Sequence, residues 1–450
     1  MYNKPSEATL RFISDHRTEN VKELALKHAK NPDIDLLFAL QQIDGWQRAK
    51  EKLPLWSENH DIIYPKHISM EQCSSEKTAK YKREIVNAEQ EERSFVSESP
   101  TSANQSPASC SRKILDLTGG FGVDLSYMST VFSRAVYVEQ QEYLCEVAKH
   151  NFKVLGLEHI EIVNSTAEEF LENSKEWFDV IYLDPARRDS NGKKTYAIAD
   201  CTPDVVKLMP LLKAHGDRII VKLSPMFDHH EFKKYFEGIS RIHILSVKNE
   251  CKETLLEIDD RNPVGRVICV NDNEVFETSM ESETSLPVCR MPEVGEKLFV
   301  PNASIMKAGC FAELCKAFSL VPIGKNSHLF LSAQQTQNGE GKPVSSTHSL
   351  RGNSSETTSC LPSDNSSQIT SPFPGRVFRI KAVCSLNRKE LKETFNDVRQ
   401  ANIAVRNFPL SADEVRKRLR AVLGLRDGGE TYIFCTTSVR NHILLRTEKD

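Results

Sequence analysis

The sequence predicts an α/β protein: a doubly wound, Rossmann-like parallel sheet with a helical region before it and α+β segments after it. Three observations carry this. Between residues 113 and 262, short β-branched runs alternate with helical stretches, the grammar of a parallel sheet with helices on both faces. The first of these runs, KILDLTG, ends in a glycine turn at Gly119, Gly120 and Gly122. Past residue 262 the alternation stops and strands and helices follow in α+β order.

Taken in order, residues 5 to 30 and 32 to 58 read as helices, with Pro32 at a first helical position and Leu24, Leu26, Leu36, Leu37 and Leu40 near helical spacing. A further helix, SSEKTAKYKREIVNAEQEE, starts at Ser74 or Ser75, either a suitable cap. The helical region is expected over 1–112, closing in a Ser/Pro/Asn-rich linker near 97–112 that lacks apolar period. The sheet domain is expected over 113–262, with strands at KILDLTG, AVYVEQ, IEIV, FDVIYLD and RIIVKLS and a terminal antiparallel pair, RIHILSV and TLLEI. Residues 263–375 read as a small α+β domain, with strands at RVICV and KLFVP, one helix at SIMKAGCFAELCKAF, and a polar flexible insert over 333–372. Residues 376–450 read as a compact unit of two helices followed by two strands.

The whole chain of 450 residues has a formal charge of −3, which excludes a general polycation. Its last 75 residues, 376–450, carry +7, an asymmetry that points to an anionic partner for that end. Twelve cysteines are scattered without a CxxC pair or zinc-finger spacing, so no metal is expected and the thiols read as reduced and intracellular. No apolar run is long enough to span a bilayer and no leader is apparent, so the expected location is the cytoplasm.

The stretch ILDLTGGFGVDLSYM is the most informative. A buried strand ends in Asp116, Thr118 and the glycines make a tight turn, and a helix begins near Asp124. Glycine there lets the backbone approach a nucleotide-like ligand. Glu139 closes the next strand about 20 residues on, where a carboxylate can accept from both ribose hydroxyls. A nicotinamide fingerprint would need a third glycine where Leu125 stands, and Asp124 would repel a diphosphate at the helix start. A ligand with a sulfonium, an ammonium and no phosphate suits these acids. The stretch resembles the first motif of class I S-adenosylmethionine-dependent methyltransferases. The resemblance implies S-adenosyl-L-methionine as cofactor, with Asp116, Thr118, Gly119, Gly120 and Gly122 facing its methionine part. It further implies Glu139 on the ribose and Ser165 or Thr166 near the adenine.

The segment FDVIYLDPARRDS supplies the second motif. Enzymes of this class that methylate exocyclic base nitrogens end the same strand in D/N-P-P followed by an aromatic. Asp184 and Pro185 match and would be catalytic, whereas Arg187 stands in the aromatic's place with Arg188 beside it. Arginine can stack on a base and clamp a phosphate, so both are candidate substrate-binding residues. Lys222 and Asn249, at strand ends on the ligand edge, complete the candidate pocket. An arginine after the proline pair also occurs in enzymes that methylate uracil C5, which need a cysteine nucleophile. Here Cys251 and Cys201 are the cysteines near that edge and read as inert thiols.

Several segments together, among them DLTGGFGVD, LDPARRD, VKLSPM, VKNECKE, IMKAGCFAELC and NIAVRNFPLSADEVRKRL, resemble a bacterial group of methyltransferase-like proteins. That group joins a class I domain to a small ferredoxin-like domain and a THUMP-like C-terminal domain. The resemblance implies RNA, either tRNA or rRNA, as partner and an exocyclic purine nitrogen such as guanine N2 as target. Two other readings stay open: a methyltransferase for a protein or small molecule, and a non-catalytic RNA-binding protein with a retained fold.

Overall fold

The computed structural model describes residues 5–96, 112–186, 198–282, 284–333, 372–439 and 441–450. The expected linker near 97–112, the polar insert 333–372 and the Arg187–Arg188 pair fall almost wholly outside them. The chain divides into two compact units, Met1–Met280 and Glu281–Asp450. Among the described residues no helix is long and apolar enough to cross a membrane.

The first unit opens with α1 (Glu7–His16), α2 (Val21–Lys27), α3 (Leu36–Lys52), α4 (Pro54–Glu58), α5 (His67–Gln72) and α6 (Glu76–Val96). The expected first helix splits because the Asn20 side chain accepts from the backbone N–H of Lys22 and Glu23 and caps a new start. Pro32 is not a first helical residue. Asp35 caps α3 through the Phe38 N–H, and the proline that opens a helix is Pro54. Ser75, not Ser74, caps α6 through the Thr78 N–H.

The sheet follows, with β1 (Lys113–Asp116), α7 (Val123–Met128), β2 (Arg134–Glu139), α8 (Glu142–Val154), β3 (Ile160–Asn164), α9 (Ala167–Asn173), β4 (Phe178–Leu183), α10 (Val205–His215), β5 (Gly216–Leu223), β6 (Ile239–Val247), β7 (Glu250–Ile258), β8 (Arg266–Asn271) and β9 (Glu274–Ser279). Strand order is β3-β2-β1-β4-β5-β7-β6-β8-β9. Strands β1 to β5 pair in parallel, and β7 inserts antiparallel between β5 and β6. The expected terminal antiparallel pair is therefore present. Strands β8 and β9, expected in the next domain, extend this sheet instead, because β8 pairs in parallel with β6 from Arg241–Arg266 to Ser246–Asn271. Strand order reverses between β1 and β4, and the carboxyl ends around that switch are where such sheets place a ligand.

Two cores matter for the site. One packs Val86 of α6 with Ile114, Tyr137, Phe152, Val180 and Tyr182. The other packs Trp56, Tyr64 and Met70 against Phe121 and Val123 of the glycine turn. Phe121 meets Trp56 edge-on at 4.9 Å. The N-terminal helices are thus part of the unit that holds the turn.

The second unit contains β10 (Lys297–Pro301), α11 (Ala303–Ala308), α12 (Phe311–Phe318), β11 (Leu320–Pro322), β12 (Phe330–Ser332), β13 (Gly375–Cys384), α13 (Arg388–Thr394), β14 (Gln400–Arg406), α14 (Ala412–Leu423), β15 (Arg426–Ser438) and β16 (Asn441–Lys449). The single helix expected from Ser304 breaks at Gly309, whose φ of 67° ends α11. Strands β13 and β14 add to the two helices and two strands expected of the C-terminal unit. They complete a seven-stranded sheet, β11-β12-β10-β13-β16-β15-β14, in which β13 pairs with β10 across the expected boundary at 375–376.

Candidate active site

The carboxyl ends of β1, β2, β4 and β5 open into a cleft of about 1380 Å³. Its other wall comes from the N-terminal helices, through Lys52, Ile68, Cys73, Ser75 and Lys77. Sequence reading gave that region no part in the site.

The glycine turn is built by close approach. A Cβ on Gly119 would lie 2.1 Å from the Tyr137 ring, and Gly122 sits at φ 83° with the Phe152 ring 2.7 Å from where its Cβ would be. The Gly119 N–H donates to the Val138 carbonyl at 2.8 Å, and the Tyr137 hydroxyl donates to the Gly120 carbonyl at 2.5 Å. Glu139, buried at the end of β2, accepts from the Gly120 N–H at 2.9 Å and the Gln141 N–H at 2.8 Å. Those two bonds fix the carboxylate and leave a lone pair on each oxygen.

Beneath the turn lies a buried charge network. Asp124 accepts from Ser74 Oγ at 2.8 Å, Lys82 Nζ at 3.0 Å and the Tyr182 hydroxyl at 2.7 Å. Lys82 has no exposed side-chain surface and also meets Glu253 at 2.6 Å. Burial opposes ionisation of Asp124, but Lys82 and Lys222, with hydrogen bonds from Tyr182 and Ser74, outweigh it and hold the carboxyl at about 2. Asp116 is the contrasting case. Burial pushes its carboxyl well above the usual range; the Thr118 N–H at 3.0 Å opposes this, while Asp124, Asp184 and Glu139 add to it.

Lys222, on β5, binds Asp184 Oδ2 directly and lies 4.0 Å from Asp124 Oδ2. Burial alone would lower the ammonium's pKa, but Asp184, Asp124 and Glu253 together raise it. Asp184 is additionally placed by its own N–H, which donates to Thr118 Oγ1 at 2.5 Å, tying the loop after β4 to the glycine turn. Ala186 and Thr202 exchange backbone hydrogen bonds at 2.8 and 2.9 Å, so the start of the Asp-Pro-Ala loop is pinned on both sides. One carboxylate oxygen of Asp184 is engaged by Lys222. Among the described residues no side chain engages its other oxygen, Oδ1.

Asp116, Thr118, the three glycines, Glu139, Ser165, Thr166, Asp184, Pro185 and Lys222 all line this one cleft. Ser165 Oγ donates to Glu169 at 3.2 Å, and Thr166 caps α9 through the Glu169 N–H. Asn249 does not line it, although Lys248 and Glu250 on either side do. Lys248 and Asn249 have φ of 52° and 61°, so Asn249 makes the β6–β7 turn, and its N–H donates to Asn271 at 3.0 Å. Arg187 and Arg188 lie outside the described residues.

Sequence reading missed Lys82, Ser74, Tyr182 and Glu253. The signal for Lys82 was present: it stands on the inward stripe of α6 between Ala79 and Val86, both fully buried. Cys73 was missed as well, and it is the cysteine among the described residues that lines the cleft. Burial pushes its thiol pKa up, and its sulfur donates to the Met70 carbonyl at 3.3 Å. That is the setting of an inert thiol.

The rim carries Arg48, Lys52, Lys77, Lys80, Lys248 and Lys252. Several pair with exposed carboxylates, as Lys77 does with Asp272 at 2.8 Å and Lys248 with Glu51 at 3.2 Å. Pairs of this kind contribute about 0–1 kcal/mol, so a phosphate can displace them. Among the described residues, ligand-type atoms of Asp228, His229 and His230 come within 4.8 Å of one another after β5. Asp228 there accepts the His230 N–H as a helical cap.

Family models match three parts of the chain: a conserved hypothetical protein 95 model over residues 104–200, a ferredoxin-like domain over 298–338 and a THUMP domain-like model over 375–449. The crystal structure of a protein from Porphyromonas gingivalis W83, proposed to be a methyltransferase, superposes with a TM-score of 0.73 at 26% identity, covering 98% of this chain and 97% of that one. The first unit thus has the Rossmann-like fold of S-adenosylmethionine-dependent methyltransferases, and the segments after it match ferredoxin-like and THUMP-like models. Two curated relatives from Mycobacterium tuberculosis (strains CDC 1551 and H37Rv), named as uncharacterized S-adenosylmethionine-dependent methyltransferases, are 27% identical over 163 residues, or 35% of this chain. The chain spans only 41% of the length of those curated relatives. The lining of the cleft suits the cofactor named for those relatives. Asp116 and Glu139 line the cleft, and Gly119, Gly120 and Gly122 present a turn without Cβ atoms to it.

Proposed function

We propose that the protein transfers a methyl group from S-adenosylmethionine to an exocyclic amino nitrogen of an RNA base, such as guanine N2. The observation that carries this is the Asp184–Lys222 pair at the mouth of an acid-floored cleft. When bound, the cofactor supplies an electrophilic methyl carbon. Asp116 and the backbone of residues 119–122 would hold its amino-acid part, Glu139 its ribose, and Ser165 or Thr166 the neighbourhood of its base. Lys222 keeps Asp184 oriented, so the free carboxylate oxygen can accept an N–H of the substrate amine. That bond aims the nitrogen lone pair and stabilises the positive charge that builds on nitrogen before its proton leaves to water. Arg187 and Arg188 would stack on the base and clamp a phosphate.

RNA as the substrate is supported by the THUMP domain-like match, by the positive C-terminal 75 residues and by the cationic rim. A pyrimidine-C5 mechanism is disfavoured, because Cys73, the cysteine among the described residues that lines the cleft, is a half-buried thiol whose pKa is raised. Protein or small-molecule methylation gains no specific observation. The test is tritium transfer from labelled cofactor into fractionated RNA, followed by nucleoside mass spectrometry. An N-methylated purine is expected. Label entering only protein or small molecules would refute the RNA reading.

A further inference from the structure

We propose that helix α5 reads the target base, with Gln72 selecting guanine over adenine by its edge and Ile68 packing on its ring. This rests on the methyl-transfer reading of the cleft and names how the substrate base is recognised there.

The N-terminal wall meets the sheet at the Asp184 end of the cleft. Ser74 Oγ donates to Asp124 Oδ2 at 2.8 Å, Lys222 Nζ stands 4.0 Å from that same oxygen, and Lys222 binds Asp184. One ammonium therefore separates the chain just after α5 from the carboxylate that would hold the amine. The helix is fastened in that place. Met70 is buried in the core with Trp56 and Phe121, and Lys52 Nζ donates to the carbonyls of Met70 and Glu71 at 2.8 and 2.7 Å. Those bonds occupy carbonyls that the end of a helix leaves without a partner. With Met70 turned inward, Ile68 and Gln72, four residues apart, share the face that lines the cleft.

That face has the chemistry of a base reader. The Gln72 side chain is exposed and makes no hydrogen bond among the described residues, and Ile68, one turn back, is 45% exposed. Of the side-chain amides that line the cleft, Gln140 and Gln141 directly follow Glu139 at the ribose end, which leaves Gln72 as the amide on the Asp184 side. The sheet side presents Pro185, Pro203 and Pro225, whose backbone has no N–H to donate. A planar base packs on such surfaces by its face, and its edge is left to Asp184 and Gln72. Guanine carries an N1–H donor and an O6 acceptor beside its N2 amine. A carboxamide answers both, Oε1 accepting from N1–H and Nε2 donating to O6, while Asp184 accepts from the amine. Adenine held by its N6 amine has an unprotonated N1 next to it, so half of the amide goes unpaired. An amine on a flexible protein side chain offers no second edge at all.

The test uses the full-length protein, total RNA from cells that lack it, and tritiated S-adenosylmethionine. It reads kcat and KM for RNA, cofactor Kd by calorimetry, and the methylated nucleosides by mass spectrometry. Both side chains are exposed, so their variants should fold. Gln72→Ala should lower kcat/KM tenfold or more at unchanged cofactor Kd and raise the ratio of N-methyladenosine to N-methylguanosine. Gln72→Glu should lose rate yet keep guanine selectivity, because a carboxylate still accepts from guanine N1–H and repels the unprotonated N1 of adenine. Ile68→Ala should raise KM for RNA more than it lowers kcat. Unchanged rates and product ratio in both Gln72 variants, or a loss matched by an equal loss of cofactor affinity, would overturn the proposal and leave the methyl-transfer reading standing. A wild-type product of N6-methyladenosine would do the same. Label entering only protein or small molecules would overturn both.

Discussion

In the first unit Lys82, wholly buried, meets Asp124 at 3.0 Å and Glu253 at 2.6 Å; in the second, Arg406, half-buried, meets no carboxylate among the described residues. The two regions use the same physics to different ends. Charges compensated inside the protein, such as Lys82–Asp124 and Lys222–Asp184, fix shape and leave little to attract a ligand. Where such compensation is missing among the described residues, burial instead pushes a group toward its neutral form, as at Arg406 and Asp116. Within the cleft the two kinds stand side by side. Asp124 is held ionised by lysines, whereas burial and the neighbouring Asp124, Asp184 and Glu139 push Asp116 the other way; under the proposed function a cofactor's ammonium would face it.

The largest expected effect breaks the compensated side. Lys82→Met leaves Asp124 and Glu253 short of their cation and should cost about 3–5 kcal/mol of stability, measured by denaturant unfolding. The same variant should raise the Asp124 carboxyl. In the wild type that group falls from an unfolded value of about 3.9 to about 2, worth roughly 2.5 kcal/mol. A depressed carboxylate contributes fully above its unfolded pKa and loses that contribution as pH falls toward its folded one. The acid transition of the first unit should therefore lie at higher pH in Lys82→Met. A variant as stable and as acid-resistant as the wild type would show that Lys82 merely fills space.

Next comes Glu139. Glu139→Gln keeps the volume but replaces a charged acceptor whose bonds are worth about 1.5–3 kcal/mol each. Cofactor affinity by calorimetry should fall tenfold or more, and an unchanged Kd would place the ribose elsewhere. Asp116 sharpens the comparison further. Ionised Asp116 alone attracts an ammonium, and burial favours its protonated form in the free protein, so cofactor binding should release a proton. Affinity should weaken as pH is lowered, and Asp116→Asn should flatten that dependence. A pH-independent wild type would contradict it. The smallest effect is reserved for Cys73→Ser, where methyl transfer should be nearly unchanged; abolished activity, with covalent trapping by a 5-fluoropyrimidine RNA, would put a cysteine mechanism in place of the amine one.

What was legible in the sequence follows from range. Strand–helix alternation and the Asp116–Gly122 turn are local patterns, and they located the sheet and one wall of the cleft. The Asp184–Pro185 pair was legible for the same reason. The second wall was not, because Lys82 and Ser74 lie 42 and 50 residues from Asp124, and long-range packing, of Phe121 on Trp56 and of Val86 on the sheet core, brings the helices there. The limit expected near residue 262 was not legible either, whereas the THUMP domain-like model matches 375–449. Hydrophobic runs showed that β8 and β10 exist but not which sheet each would join, since pairing is a long-range choice. Asn249 was assigned to the pocket from its place at a strand end, but a two-residue turn with positive φ turned it toward Asn271 instead.

The central claim is that an acid-floored cleft delivers a methyl group to an amine held by Asp184. Single-turnover transfer of labelled methyl into RNA by wild type and Asp184→Ala, each with its cofactor Kd, tests it most directly. The account predicts transfer in the wild type, and in the variant a loss of a hundredfold or more, on the order of 3 kcal/mol, with Kd little changed. Equal transfer rates in the two proteins, or a loss explained wholly by weaker cofactor binding, would contradict it.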